Sequence, residues 1–467
     1  MENRTKIICT IGPSSQDKSV LQKMIAAGMD CVRLNFSHGT YTQFAGIIRA
    51  VRDISKNTGR EVAIIQDLQG PKIRVGDIAA EGITVKAGQT IVLTTAVKDT
   101  GKIPVQYRHL GHDVHTGDTI LVDDGLIELK VQKINASKTE ISCHVEVGGV
   151  VKSHKGINVP TASISAHPLT PKDKRDVDFG VKHGVDYVAL SFVREAKDVV
   201  ELKQMLRRKK SRAKVIAKIE RHEAIKNMEA IIMAADAVMV ARGDLGVEIP
   251  AEQVPLQQKK IIHLCNQYGK PVIVATQMLD SMVENPRATR AEISDAATAI
   301  FDHADALMLS NETAVGKYPV QAAHTLYKVA TAVEKDLKQH RQFLHLPKLE
   351  NMPLVNATCL NASKLAQDID AKYIVAITRS GYTAQEIAKY RPLIPLIVFT
   401  PDVHVARQMP LVWGVTHSFV QFIHLNNSLP QIRHTLLGSG LVKTDDEIVV
   451  CNAGFGKREK LITTTMI

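Results

Sequence analysis

The strongest constraint on the fold is an alternation of strand-like and helix-like patterns that runs through most of the chain. Short apolar, β-branched runs predict strands buried on both faces, and most are followed by segments with helical periodicity. The predicted strands cover residues 5–11, 31–36, 62–68, 187–193, 214–220, 237–242, 271–276 and 305–309. The predicted helices cover residues 17–28, 41–58, 171–183, 196–210, 222–234, 253–268, 289–302 and 319–338.

The alternation breaks once, after the third strand. Residues 72–165 are glycine-rich and carry short alternating runs such as "TGDTILVDDGLIELKVQKI", which predict an all-β module. Eight strand–helix units with one interruption predict a (β/α)8 barrel formed by residues 1–71 and 166–338, with a β-barrel domain inserted at 72–165. Residues 339–467 begin with a linker-like stretch, "QFLHLPKLENMP", and then return to alternating strands and helices, which predicts a separate C-terminal α/β domain.

Composition narrows the class of protein. The net charge is 59 − 48 = +11, but aromatic residues make up only 4% and do not interleave with the basic ones, so we expect no nucleic-acid binding by stacking. No apolar run has the length of a membrane span, and the N-terminus has no targeting character. Six scattered cysteines without a C-x-x-C pair favour reduced thiols. We therefore expect a cytoplasmic protein that does not contact membranes.

Polar, catalysis-capable residues stand at the ends of seven of the eight predicted barrel strands. In barrels of this class the C-terminal strand ends converge on one active site. The sequence therefore predicts a single convergent site. The strand ends read "TIGPSS", "RLNFSHG", "DLQGPKIR", "KIE", "ARGDLG", "ATQM" and "SNET".

Two carboxylates, Glu220 and Asp244, end neighbouring strands and predict a site for a hard divalent cation such as Mg²⁺. The alternative is a structural ion pair with Arg242 or Arg290. Lys218 shares the barrel face of Glu220 because it lies two residues earlier. It suits charge stabilisation of a transferring group or an enolate, with a Schiff base or a structural ion pair as alternatives.

The segment "RLNFSHG" puts Arg33, Asn35 and Ser37 on one face, where they could bind a phosphoryl oxygen and a cation. The alternative is that Ser37 and His38 cap the following helix. Thr276 in "ATQML" could relay a proton through its hydroxyl or a water, and taken alone it is only a strand-end threonine.

Long motifs across the barrel resemble the pyruvate kinase family. They are "TKIICTIGPSS", "VRLNFSHG", "DLQGPKIR", "AKIERHEA", "MVARGDLGVEIP", "ATQML" and "PRATRAEISDAATAIFDHADALMLSNETAVGKYP". The resemblance implies phosphoryl transfer from phosphoenolpyruvate to ADP, giving pyruvate and ATP. It also implies Mg²⁺ or Mn²⁺, often K⁺, a homotetramer, and an inserted domain that closes over the nucleotide as a lid.

The resemblance also implies roles for individual residues. The catalytic residues would be Lys218, Arg33 and Thr276, and the substrate would contact Arg33, Lys218, Gly243, Asp244 and Thr276. Glu220 and Asp244 would hold the divalent metal, and the monovalent-cation site would consist of Asn35, Ser37, Asp67 and the Leu68 carbonyl. The nucleotide phosphates would meet His38, Arg74 and Lys155.

Lys72 departs from the pattern of family members that depend on K⁺, which resemble "TKGPEI" with a glutamate at this position. A tethered ammonium could supply the positive charge that K⁺ otherwise supplies. We therefore expect a member of the K⁺-independent "GPKI" subgroup, in which K⁺ is not required even though the monovalent-site residues remain.

The C-terminal stretch "TRSGYTA" contains Thr378, Arg379, Ser380, Gly381 and Thr383 and resembles the family's sugar-phosphate effector loop. A hydroxyl-rich turn at a helix N-terminus can bind phosphate, and ordinary helix capping is the alternative. Lys457 and Arg458 could touch the same effector. We expect activation by a sugar monophosphate or a nucleotide.

Two other functions compete with this interpretation. A metal-dependent lyase passing through a pyruvate enolate could use Glu220, Asp244 and an arginine, but it would have no need of a nucleotide lid. A phosphate sensor that has lost catalysis is the other, and the complete set of Lys218, Glu220, Asp244 and Thr276 argues against it.

Overall fold

The computed structural model describes residues 3–96, 101–339, 352–424, 428–453 and 461–467. In chain order the strands are β1 (Lys6–Thr10), β2 (Cys31–Asn35), β3 (Ala63–Asp67), β4 (Ile83–Val85), β5 (Thr90–Thr94), β6 (Ile103–Pro104), β7 (Thr119–Val122), β8 (Ile127–Ile134), β9 (Glu140–Val147), β10 (Gly149–Val151), β11 (Ile157–Asn158), β12 (Tyr187–Leu190), β13 (Lys214–Ile219), β14 (Ala237–Ala241), β15 (Val272–Ala275), β16 (Ala306–Leu309), β17 (Tyr373–Ile377), β18 (Leu396–Thr400), β19 (Val415–Val420), β20 (Glu447–Asn452) and β21 (Leu461–Met466).

The α-helices follow the same order. They are α1 (Lys18–Ala26), α2 (Tyr41–Thr58), α3 (Leu110–Asp113), α4 (Pro171–His183), α5 (Ala196–Arg208), α6 (His222–Lys226), α7 (Met228–Ala234), α8 (Arg242–Glu248), α9 (Val254–Gln267), α10 (Arg290–Phe301), α11 (Asn311–Ala314), α12 (Pro319–Gln339), α13 (Leu354–Asp368), α14 (Tyr382–Ala388), α15 (Val403–Gln408) and α16 (Ser428–Gly438). None of the helices in the described ranges is both long and apolar enough to cross a membrane.

Eight parallel strands close into a barrel in the order β1-β16-β15-β14-β13-β12-β3-β2, which confirms the predicted fold. The strands are almost entirely buried, because helices cover them outside and apolar layers fill them inside. Capping residues in the sequence explain why predicted helices begin and end where the structure has them, as α4 shows. Thr170 and Asp173 form a capping box at the start of α4, and Gly184 ends it in the left-handed conformation.

One predicted helix is split. Residues 222–234 form two short helices, α6 and α7, which meet at Asn227. The Asn227 amide donates a 2.9 Å hydrogen bond to the Arg194 carbonyl outside the helix, and this side chain stabilises the break. The prediction of a single long helix over residues 222–234 is therefore wrong.

The strands of the inserted domain, β4 to β11, follow the third barrel strand as predicted. They form a six-stranded sheet, β11-β7-β8-β9-β5-β6, and a two-stranded sheet, β10-β4. The two end strands of the larger sheet are joined by the segment at Arg74 and Val75, in which Arg74 pairs with Gly156 beside β11 and Val75 pairs with Val105 beside β6, so the sheet closes into a barrel as the sequence predicted. A separate apolar core fills the domain.

The C-terminal domain is a five-stranded sheet, β19-β18-β17-β20-β21, in which only β21 is antiparallel. It packs against the N-terminal end of the barrel. Leu411 is fully buried in the apolar cluster inside the barrel, and Arg391 pairs with Asp305 at 2.7 Å. The C-terminal strand ends of the barrel therefore face the inserted domain, while the C-terminal domain closes the opposite end.

Candidate active site

Asp67 is the buried carboxylate at the centre of the barrel mouth. Its side chain is 1% exposed, and its two oxygens face two cations. Arg33 Nε donates to Oδ2 at 2.7 Å, and Lys218 Nζ lies 3.5 Å from Oδ1. Burial raises the pKa of Asp67, but Lys218 and Arg33 outweigh it and hold this pKa below its usual value. Asp67 is therefore an anion that fixes both cations.

The Lys218 ammonium has three oxygen neighbours. It donates to Ser191 Oγ at 2.8 Å and lies 3.2 Å from Glu220 Oε2, in addition to its Asp67 contact. Burial lowers the pKa of Lys218, but Asp67 and Glu220 raise it above its usual value. A charged ammonium is a poor nucleophile, so this environment favours charge stabilisation over a Schiff base.

Glu220 and Asp244 lie close enough that the charge of Asp244 raises the pKa of Glu220. Burial is the larger cause, and Lys218 only partly opposes it, so the pKa of Glu220 rises to about 7. Phe192 N–H donates to Glu220 Oε1 at 2.6 Å, whereas the buried Oε2 accepts no hydrogen bond and contacts Lys218 Nζ as an ion pair at 3.2 Å. A buried oxygen that accepts no hydrogen bond, beside a second carboxylate, fits a divalent cation that completes its coordination with substrate and water.

The ion-pair partners of this region differ from the sequence-based alternatives. Arg242 forms two short contacts with Asp295 and donates to the Thr276 carbonyl at 2.7 Å, so Arg242 is not the partner of Glu220 or Asp244. Asp244 Oδ1 instead accepts a 3.2 Å hydrogen bond from Lys72 Nζ. Lys72, at the start of the inserted domain, thus contacts one of the two candidate metal ligands.

The residues of the expected monovalent-cation site lie at neighbouring strand ends. Asn35 Oδ1 accepts from Ser37 N at 3.1 Å, and the Leu68 carbonyl accepts from Ser191 Oγ at 2.8 Å. The alternative role for Ser37 and His38 is wrong, because Thr40 is the N-cap of α2 and forms its capping box.

Thr276 joins the ends of two strands. Its hydroxyl accepts from Gly243 N–H at 2.7 Å and donates to the Ala275 carbonyl at 2.5 Å. Its φ of 72° is unusual for a non-glycine residue and costs conformational energy. The only proton of the Thr276 hydroxyl is thus engaged, and the hydroxyl must turn before it can donate elsewhere.

The expected nucleotide contacts surround the base of the inserted domain. Arg74 donates to the His154 carbonyl at 2.8 Å, and Lys155 pairs with Asp123 at 2.8 Å. The pKa of His38 is lowered first by burial and then by the charges of Arg74, Arg33 and Lys72. His38 therefore lies near Arg74 and Arg33, which are expected to bind phosphate groups, and near Lys72, the expected substitute for K⁺.

The expected effector loop connects β17 to α14. Arg379 and Ser380 are exposed, while Thr378 and Thr383 are buried. Thr378 Oγ accepts from Gly381 N–H at 3.0 Å, so one hydroxyl does serve the turn itself. Lys457 and Arg458 lie outside the described residues.

Two contacts at the mouth were missed by sequence reasoning. Thr10 ends β1 and accepts from Arg33 at 2.9 Å, and Ser191 bonds both Lys218 and the Leu68 carbonyl. Ser191 directly follows β12, whose end was the one left out of the strand-end pattern. The same rule, applied to all eight strands, would have found it.

The fold and the site together define a class, a barrel enzyme whose mouth concentrates cations and paired carboxylates beneath an inserted β domain. The sequence matches the family models described as "Pyruvate kinase, barrel domain" over residues 2–323 and "Pyruvate kinase, alpha/beta domain" over 356–465. The chain belongs to the pyruvate kinase family, and it is a phosphotransferase enzyme.

Individual relatives agree with this assignment. The chain is 43% identical to pyruvate kinase 2 of Synechocystis over 97% of this chain and 77% of the relative. It is 44% identical to a pyruvate kinase of Geobacillus stearothermophilus over 96% of this chain and 77% of the relative. A crystal structure of a pyruvate kinase from Cryptosporidium parvum matches with a TM-score of 0.91 at 33% identity, covering 100% of this chain and 96% of that one.

The raised pKa of Glu220 predicts that the metal-free protein gains stability when this charge is removed. The rise from 4.5 to about 7 corresponds to roughly 3 kcal/mol, contributed fully below pH 4.5 and lost as pH rises through 7. Glu220→Gln imitates the neutral acid. We expect it to raise the melting temperature in EDTA at pH 8 and to change it little at pH 4.5.

Thermal unfolding of wild type and variant at both pH values measures this effect. Glu252→Gln, at an exposed position, is the matched control and should leave the melting temperature unchanged at either pH. A Glu220→Gln protein that melts below wild type at pH 8 would contradict the prediction.

Proposed function

We propose that this protein transfers the phosphoryl group of phosphoenolpyruvate to ADP, giving pyruvate and ATP. The observation that carries the proposal is the charge arrangement at the barrel mouth. Arg33 and Lys218 are fixed by Asp67, next to the carboxylate pair of Glu220 and Asp244, in which one buried Glu220 oxygen accepts no hydrogen bond. Phosphoryl transfer depends on positioning and charge neutralisation, which is what such an arrangement supplies.

The side chains divide the work of binding. Arg33 presents its guanidinium to the phosphoryl oxygens, and Lys218 neutralises charge on the transferring group and on the enolate oxygen that it leaves. Gly243 and Thr276 line the substrate position at the N-terminus of α8. Asp67 keeps both cations charged and oriented, because its carboxylate contacts each of them.

Glu220 and Asp244 would hold Mg²⁺, or Mn²⁺ in its place. When bound, the ion supplies a positive charge that neutralises the phosphate and carboxylate oxygens of the substrates. Asp244 Oδ1 accepts a hydrogen bond from Lys72 in the structure, so a cation held at that same oxygen would compete with Lys72 for it.

The reaction breaks the bond between phosphorus and the enol oxygen and forms one between phosphorus and a terminal oxygen of ADP. The enolate then takes a proton at carbon to become pyruvate. Thr276 would orient a water for this step rather than donate directly, since its own proton is engaged with the Ala275 carbonyl. His38, Arg74 and Lys155 are proposed to contact the nucleotide phosphates, and the inserted domain to exclude water by closing.

Lys218→Met tests the proposed function. A coupled assay of ADP-dependent pyruvate release should show a kcat lowered by about 10²–10³-fold or more, because a charge placed for the transition state is removed. Lys18→Met is the matched control, since Lys18 is half-exposed on α1 and pairs with Asp53 outside the site.

The same assay separates the competing functions. A lyase would release pyruvate without ADP, and a non-catalytic sensor would release none in any condition. Either result for the wild-type protein would overturn the proposal, as would a Lys218→Met variant with the activity of the Lys18→Met control.

We further propose that the protein belongs to the K⁺-independent subgroup and that Lys72 takes over the role of K⁺. Its ammonium lies at the mouth, where it helps lower the pKa of His38, and it pairs with Asp244. Both oxygens of Asp67 already face Arg33 and Lys218, which weakens the attraction of that carboxylate for a soluble monovalent cation.

Replacing the buffer cation tests this proposal. With Mg²⁺ present and tetramethylammonium as the only monovalent cation, the wild-type kcat should change little when K⁺ is added. Lys72→Glu should lose activity in the same buffer and recover part of it with K⁺, because a carboxylate restores a cation-binding position. A many-fold activation of the wild type by K⁺ would contradict the proposal.

Regulation by a phosphorylated metabolite is proposed for the loop that contains Thr378, Arg379, Ser380, Gly381 and Thr383. The exposure of Arg379 and Ser380 next to the start of α14 supports it. Sugar monophosphates and AMP, titrated against the phosphoenolpyruvate curve, should lower the half-saturating concentration, and Ser380→Asp should abolish the response by repulsion. A curve unmoved by every compound would rule this proposal out.

By analogy with the family, we also propose a cytoplasmic homotetramer.

A further inference from the structure

Helix α8 is in contact with the inserted domain at both of its ends. At its first turn, Asp244 accepts a hydrogen bond from Lys72, where the chain enters the inserted domain. At its last turn, Glu248 Oε1 accepts a 2.9 Å hydrogen bond from Asn158 Nδ2, where the chain is about to leave it. Between these two contacts, the turn at Gly125 lies next to Val247 of α8. A Cβ added to Gly125 would lie 4.0 Å from Val247 Cγ1.

The contact between Asn158 and Glu248 is buried and built into both domains. Asn158 is 8% exposed and Glu248 4%. Asn158 belongs to β11, which pairs with β7 in the register Asn158 to Leu121, so it moves with the six-stranded sheet of the inserted domain. Glu248 belongs to the barrel and also meets His222 Nδ1 at 3.2 Å.

The neighbouring group of His222, Glu223 and Glu248 has the spacing of a metal site, with ligand atoms within 4.8 Å of one another. Its oxygens are already engaged, however. Glu223 receives two hydrogen bonds from Arg221, and Glu248 receives those described above. The contacts make this group a structural anchor between the barrel and the inserted domain.

A helix of seven residues spans about 10 Å, so a displacement at Glu248 is transmitted to Asp244 with little loss. The short helix has few internal hydrogen bonds, and outside contacts therefore decide its position. The next step rests on the function proposed above, in which the inserted domain covers the nucleotide. One short helix, α8, then carries a candidate metal ligand and also contacts the domain that covers the nucleotide.

We propose that the Asn158–Glu248 hydrogen bond is a positioning contact that couples the pose of the inserted domain to that of α8, and so to Asp244. Placement of the domain over the nucleotide and ordering of the metal-binding carboxylate are then one event. Asn158 and Glu248 are positioning residues that touch neither substrate in this arrangement.

Replacing the donor of this hydrogen bond by an acceptor tests the proposal, and a second substitution then restores the bond in the opposite direction. Asn158→Asp sets two buried carboxylates against each other and should raise the KM for ADP about tenfold, a loss typical of a buried hydrogen bond to a charged group. The KM for phosphoenolpyruvate should rise much less. Adding Glu248→Gln to Asn158→Asp should restore most of the ADP affinity, because the glutamine amide can donate to the new aspartate.

Two measurements independent of turnover accompany the kinetics. Mn²⁺ binding to the substrate-free protein, followed by electron paramagnetic resonance, should weaken in Asn158→Asp and recover in the double variant. Spin labels at Lys56→Cys on α2 and Ser137→Cys in the inserted domain, both exposed positions, report the distance between domains. All six native cysteines are buried, so the labels can be placed selectively. The distance distribution should broaden in Asn158→Asp and narrow again in the double variant.

Ser163→Ala is the matched control, since it removes another hydrogen bond between the inserted domain and the barrel, from exposed Ser163 to Glu223. It should leave the KM for ADP and the distance distribution unchanged. If Asn158→Asp does not fold, Asn158→Ser removes the contact without adding charge and should give smaller shifts in the same direction.

Three results would overturn the proposal while the proposed function stands. They are an unchanged KM for ADP in folded Asn158 variants, an equal rise in the KM of both substrates, or no recovery in the double variant. Failure of the proposed function itself would be seen in the wild type, as absence of ADP-dependent pyruvate release, while the label distances and Mn²⁺ binding would still test the coupling.

Discussion

The barrel mouth is organised around one buried carboxylate, Asp67, held between two cations. An unpaired charge buried at this depth would be strongly unfavourable. The ion pairs with Arg33 and Lys218 offset the cost of removing the Asp67 carboxylate from water. The arrangement also keeps both cations charged and fixed in place, with Arg33 further held by Thr10 and Lys218 by Ser191. Such preorganisation is what an anionic transition state requires, because the cations need not reorganise at the moment of reaction.

Glu220 shows that the same site lowers the stability of the fold. Its carboxyl is buried beside Asp244, one of its oxygens accepts no hydrogen bond, and its pKa rises to about 7. In a metal-free protein this charge opposes folding, so a residue suited to binding a cation reduces the stability of the fold that presents it. The inserted domain adds Lys72 at Asp244, which offsets part of the negative charge.

The two ends of the barrel are occupied by different domains. The inserted domain stands at the mouth, in contact with α8, while Leu411 and Arg391 of the C-terminal domain are buried at the other end. A ligand bound at the Thr378–Thr383 loop could not touch the mouth directly. Any regulation from that loop would have to act through the position of packed elements that have more than one arrangement, such as the barrel helices or the inserted domain.

Most of the architecture could be predicted from the sequence, because its signals are local. Buried apolar runs mark the eight strands, and capping residues such as Thr40 and Thr170 delimit α2 and α4. Strand ends also indicated the candidate site, since a closed parallel barrel brings them together wherever they lie in the chain. What the sequence alone determined is therefore the barrel, its interruption, and most of the residues at its mouth, with Thr10 and Ser191 as the exceptions. The tertiary structure alone decided which of these side chains meet. Lys72 contacts Asp244, Ser191 contacts Lys218, and Asn158 contacts Glu248, because domain placement and barrel closure bring together residues that no local pattern connects.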